Sequence, residues 1–308
     1  MFFGDTLDII FLSFVAVGTF FALINVLLLM RKLSGLGNHG RRTRRWLRIS
    51  AIIFIIYMAI YLGSTVLGNT VSRESTRGGD YTTAYYELQV LATTIGSLSF
   101  SAIVHAQLKL TFDLYGKDNS ENRNKSFGLF MSPQILNLIY FIVVHIYLYA
   151  ENLPSRGYLT VSNMQSITVM LVPFFTWVAS VISLIFTLVY ASRTQVPVPR
   201  GAFGCLLASS ILSLIRHTWS AVLNIMYFAA ARANGRIYLV FPDYFGNISI
   251  IITVWFAAVC VLLLIIGASK GLRGREPWRD EYAYDHTRSG YPPLEPAPVY
   301  MANYGRAY

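Results

Sequence analysis

Charge is scarce in this chain. Only 13% of its 308 residues are Asp, Glu, Lys or Arg, about half the roughly 25% of an ordinary soluble domain. With 55% hydrophobic residues and a mean hydropathy of +0.50, there is more apolar surface than one soluble core can hide, so much of it must face lipid. This argues against a soluble enzyme, a nucleic-acid binder or a disordered chain. Cysteine is nearly absent. Cys205 and Cys260 both lie in apolar runs, where a free thiol behaves as a small hydrophobe, so neither can staple an exposed loop. The motifs of common chemistry are missing too. There is no His-Glu-x-x-His and no Gly-rich phosphate loop, and the serines lack a nearby Asp–His partner. No cofactor or metal is expected, and the chain reads as non-enzymatic. No lysine occurs in the last apolar run, about 246–268, so it cannot form a retinal Schiff base. The inner end of the third run reads Asp113-Leu114-Tyr115, without the arginine of rhodopsin-like receptors. Asp5 and Asp8 lie at the N-terminal edge of the first run and no basic residue comes before Arg31. That is not a secretory signal, and a retained helix is expected.

What is present is a set of long apolar runs, at about 8–30, 47–68, 84–112, 128–150, 165–190, 204–231 and 246–268. A spanning helix needs about 20 mostly apolar residues and a barrel strand only about 10. Lipid offers no partner to the backbone, so runs of this length must be helices. The expected fold class is all-α, a seven-transmembrane-helix bundle over residues 1–268 with a Pro/Tyr-rich tail over 269–308. Loop charge sets the orientation. Seventeen Lys and Arg fall in the first, third and fifth loops and the tail, against five in the others. The N-terminus is therefore expected outside and the C-terminus in the cytoplasm, at the plasma membrane or an endomembrane. The sequon at Asn124 then lies on the cytoplasmic side and the one at Asn247 at the mouth of helix seven, so neither is expected to carry a glycan.

The first loop carries Arg31, Lys32, Arg41, Arg42, Arg44 and Arg45 without an acid. It suits anionic lipid as well as a topology signal. The tail has five prolines, six tyrosines and little aliphatic content, so it cannot fold alone. Its Tyr291-Pro-Pro-Leu294 resembles a tyrosine-based sorting signal. Segments 31–46 and 269–308 are the candidate contacts for cytoplasmic proteins, alongside membrane lipids and a small-molecule or lipid ligand in the bundle. No nucleic-acid partner is expected.

Ionisable residues inside lipid are functional candidates. Helix six places Ser209, Ser213, Arg216, Ser220 and Asn224 at steps of 3, 4 and 7, with His217 adjacent, so most share one face. Arg216 lies roughly 18 Å from the cytoplasmic end of its helix, near the bilayer centre. Helix three adds Glu87, Thr94, Ser97, Ser101, His105, Lys109 and Asp113. Helix five adds Thr176, Ser180, Ser183, Thr187 and Pro173. One reading is a pocket between helices three, five and six, with Arg216, His217, His105, Glu87, Asn224, Ser101 and Ser220 as ligand-binding residues. Asp243, Arg232 and Arg236 would line its outer mouth, and Arg216 would reach toward Glu87 or bond serines and carbonyls. The other reading is interhelical hydrogen bonding, at roughly 0.6–2 kcal/mol per contact.

The segment SLIRHTWSAVLNIMYF, in its setting of seven runs, basic first loop and Pro/Tyr-rich tail, is similar to the arginine-bearing helix of fungal seven-helix proteins. These include the lipid-translocating exporter family and receptor-like relatives. In the exporters a second arginine and a glutamate follow shortly. Here Thr218, Trp219 and Ser220 follow, with no acid before Asp243. The resemblance implies a role for Arg216. Three activities remain: a sensor or receptor, a transporter or lipid exporter binding an anionic group at Arg216, and a scaffold acting through its tail.

Overall fold

A chain this apolar satisfies its backbone in lipid by coiling each run into a helix. The computed structural model describes residues 2–33, 40–73, 79–115, 120–149, 155–193, 198–232 and 245–272, and among these every regular element is helical. The helices are α1 (Phe2–Lys32), α2 (Arg41–Arg73), α3 (Gly79–Tyr115), α4 (Ser120–Leu148), α5 (Ser155–Arg193), α6 (Arg200–Arg232), α7 (Phe245–Ile250) and α8 (Phe256–Leu272). A π-helical turn, Ile251–Trp255, joins α7 to α8 and makes them one span. Among the described residues seven helical segments are long and apolar enough to cross a membrane: Ile9–Lys32, Arg41–Gly68, Ala84–Tyr115, Asn124–Ile146, Met170–Arg193, Arg200–Met226 and Asn247–Leu272.

The helices continue past the apolar runs. Basic residues such as Arg41, Arg42, Arg193 and Arg200 sit exposed in the terminal turns. Likewise α8 runs on through Ser269 and Lys270 to Leu272, and the compact unit holding the helices ends at Arg273. The second unit, Gly274–Tyr308 with its Tyr291–Leu294 motif, lies outside the described residues, as do positions 34–39 of the first loop.

Successive helices run antiparallel. Thr43 at the start of α2 donates to Asp113 at the end of α3 (2.6 Å), and His105 of α3 meets the Ser126 carbonyl at the start of α4 (3.0 Å). Contacts pass from α1 through α2, α3, α4, α5 and α6 to α8, and α8 closes on α1. Within this ring α3 touches α2, α4, α5, α6 and α8, and it is the most buried span. That central place explains how one helix can carry Ser101, His105, Gln107 and Lys109 buried in a bundle: they face protein, not lipid.

The two ends differ. Arg31, Lys32, Arg41, Arg42, Arg44, Arg45, Lys125, Arg193, Arg200 and Lys270 gather at one of them, here the basic end. The half of the bundle next to it is solidly packed around Leu108, Leu110, Leu114, Leu206 and Leu264, each at most 1% exposed. Small residues let the backbones close there. A Cβ on Gly267 would sit 3.4 Å from the Ala202 carbonyl oxygen. Polar side chains pin the same layer: Gln107 Nε2 donates to the Ser209 carbonyl (3.1 Å) and hydroxyl (2.9 Å), and Ser209 donates on to the Cys260 carbonyl (3.3 Å). Asn25 donates from α1 to the Ala258 carbonyl at 2.8 Å.

Candidate functional site

The half of the bundle away from the basic end is not filled. A cavity of about 320 Å³ lies there. Taking about 30 Å³ per liquid water, it has room for roughly ten waters or a small organic ligand. The α3 wall is Ala92, Thr93, Gly96, Ser97 and Phe100. The α6 wall is Arg216, His217, Ser220 and Asn224. Helix α5 adds Val172, Pro173 and Thr176, and Ser249 and Thr253 come from the seventh span. Tyr57 and Tyr61 of α2 and Asn137 and Tyr140 of α4 complete it, so six spans contribute, not only helices three, five and six. The floor residues Tyr57, Phe100, Thr176, Arg216 and His217 are buried. Thr93, Ser220, Asn224 and Ser249, farther from the basic end, are exposed or half-buried.

Arg216 is 5% exposed and held on three sides. Its Nε donates to the Thr253 carbonyl at 2.9 Å, its Cζ lies 3.0 Å from the Phe100 ring centroid, and Nη1 stands 3.5 and 3.4 Å from the two nitrogens of His217. At 3.4–3.5 Å the contact with His217 is at the long limit of a hydrogen bond. The Thr253 carbonyl belongs to the π-helical turn, where the backbone bond lengthens to i→i+5 (Phe256 N–H to the Ile251 carbonyl). Such a turn inserts a residue and leaves carbonyls free to accept from elsewhere. Gly18 of α1 accommodates the bulge: a Cβ there would stand 2.9 Å from Val254 Cγ1.

Among the described residues no carboxylate pairs with Arg216. Its partners are a carbonyl, a ring face and the neighbouring imidazole. Glu87 is roughly 20 Å farther along α3 than Phe100 at 1.5 Å per residue, and Tyr149, in the turn just after α4, donates its hydroxyl to it. That bond to the carboxylate holds the Tyr149 phenol above its ordinary pKa. The expected reach from Arg216 to Glu87 is therefore not made: Glu87 ties α3 to α4 near the bundle end.

The remaining expected site residues divide. Arg216, His217, Ser220 and Asn224 share the cavity wall. His105 and Ser101 do not reach it. They line a separate void of about 10 Å³ between α3, α4 and α5, on the basic side. The His105 ring is packed against Trp46 (centroids 4.2 Å) and Phe130 (5.2 Å), and its Nδ1 is engaged with the Ser126 carbonyl. That is a packed, bonded side chain. Asp243, Arg236 and the side chain of Arg232 lie outside the described residues.

The sequence reading missed Tyr57, Tyr61, Phe100, Asn137 and Thr253 as wall residues. Tyr57 and Tyr61 are four apart, as are Ser249 and Thr253, spacings that put each pair on one face. Gly96 is the position that seats Tyr57: a Cβ there would come within 2.8 Å of Tyr57 Cε2 and 3.5 Å of Phe100 Cε2. Nothing in IITVW announces a π turn. No protein-family model matches the chain, and no characterised protein or solved structure is detectably similar to it.

Proposed function

We propose that this chain is a multi-pass membrane protein of sensor or receptor type, with its basic end in the cytoplasm and a ligand pocket entered from the opposite face. The observation that carries this reading is the one-sidedness of the bundle. A cavity with a polar floor stands above a layer closed by Leu108, Leu110, Leu206 and Leu264 and by the Gln107–Ser209–Cys260 contacts. At about 320 Å³ the cavity falls at the small end of ligand sites, roughly 300–1,000 Å³. A carrier must bring the same site to both faces in turn, whereas a receptor needs access from one face only. A buried arginine in the cavity wall, suited to an anionic group, is what favours a carrier as the second reading.

Cysteine accessibility separates the two without knowledge of the ligand. In a background with Cys205 and Cys260 replaced by alanine, Ser220→Cys is reconstituted in vesicles of known orientation. A membrane-impermeant thiol reagent is then applied from either side. A receptor predicts labelling from the face opposite the basic end alone. Labelling from both faces supports the carrier, and labelling from neither overturns the pocket.

A further inference from the structure

We infer that the cavity takes a small, hydroxylated monocarboxylate whose carboxylate sits against Arg216; this rests on the proposed reading of the cavity as a ligand site. The first argument is charge. The described wall carries one arginine and no acid, and Arg216 lies 5% exposed without a carboxylate partner among the described residues. A cation held this deep is costly unless an anion offsets it. One formal charge calls for one: a monoanion leaves the site neutral, and a dianion leaves it negative.

The second argument is geometry. Nε is committed to the Thr253 carbonyl and the plane is pressed on Phe100, so the guanidinium cannot swivel. Of its end-on pair of nitrogens, Nη2 makes no bond among the described residues and Nη1 only the long contact with His217, and this pair is the edge a carboxylate meets with two parallel hydrogen bonds. Rigid presentation of this kind reduces the ordering cost of binding.

The third argument is the rest of the wall. Tyr61, Tyr140, Ser97 and Ser220 supply hydroxyls, Asn137 and Asn224 supply amide oxygens while their nitrogens donate to the Thr94 and Ser220 carbonyls, and Ala92, Val172 and Pro173 are the small apolar patches between them. A long acyl chain would strip such groups of partners, at a cost for each. An amino acid would bring an ammonium for which the described wall has no acid. A polyhydroxy acid satisfies both the cation and the hydroxyls.

The test is thermal unfolding of the purified full-length protein in detergent micelles. The probes are gluconate and lactate, their neutral amides, serine, inorganic phosphate and decanoate, the last standing for a carboxylate that comes from lipid. A low-millimolar Kd raises the midpoint by about 2 °C at about 10 mM ligand. The expected result is a rise with gluconate, little with gluconamide or serine, and none with gluconate in Arg216→Gln. Arg216→Lys keeps the charge without the fork, so it serves if the glutamine variant fails to fold. It should retain the preference for acid over amide with a weaker response. Asn25→Ala, on the α1–α8 contact, should respond like the parent. Equal stabilisation by acid and amide would overturn the anion assignment and leave the pocket standing. Phosphate or decanoate acting in place of gluconate would overturn the ligand class. No rise with any probe while Ser220→Cys is still labelled would overturn the assignment alone, and no labelling at all would remove the pocket itself.

Discussion

Replacing Arg216 with methionine tests whether this cation holds the bundle together or waits for a ligand. Methionine keeps the reach of the side chain and removes its charge and donors. Two favourable contacts go. One is the bond from Nε to the Thr253 carbonyl, about 1.5–3 kcal/mol for a charged donor. The other is the stacking on Phe100, about 2 kcal/mol for a desolvated cation–π pair. One cost goes with them, the burial of an arginine near mid-membrane, about 2.5–3.5 kcal/mol. The balance is a loss of about 0–2.5 kcal/mol. At roughly 2 °C per kcal/mol for a folded unit of this size, the midpoint should fall by less than about 5 °C. Circular dichroism of the purified protein in micelles, read through thermal unfolding beside the parent, measures it. A fall of more than about 10 °C, or failure to fold, would refute the reasoning, because it would make Arg216 a strut of the bundle. The expected small change is the signature of a residue kept for something other than stability.

Gly96→Ala should destabilise by about 1–2 kcal/mol even though alanine is the better helix former by about 1 kcal/mol, because the new methyl collides with the Tyr57 ring. Denaturant titration checks the sign, and a net gain would mean that Tyr57 yields freely. Gln107→Leu removes both donors to Ser209 in the packed layer and should cost about 1–3 kcal/mol. It should leave the one-sided labelling of Ser220→Cys unchanged, and leakage of label from the basic side would show that this layer is a gate.

The class of structure was written in composition. Length and hydropathy of the runs are local properties, and lipid turns them into helices with few alternatives, so seven spans are legible in the sequence. The 3.6-residue period also put Arg216, Ser220 and Asn224 on one face of α6, and all three line the cavity. What periodicity cannot carry is which faces meet. His105 and Arg216 are both ionisable residues inside apolar runs, so the sequence makes both of them pocket candidates. Yet His105 packs on Trp46 and Phe130 and lines a different void. Glu87 looked like a counter-charge and is bound to Tyr149 instead. The walls from α2 and α4 depend on the order of helices around α3, which no run encodes by itself. The π turn that brings the Thr253 carbonyl to Arg216 depends on the packing of α7 and α8 against α1 and α6. Apolarity along a helix is decided residue by residue, but the partner of a buried charge is decided by neighbours far apart in the chain, and only the folded bundle brings those together.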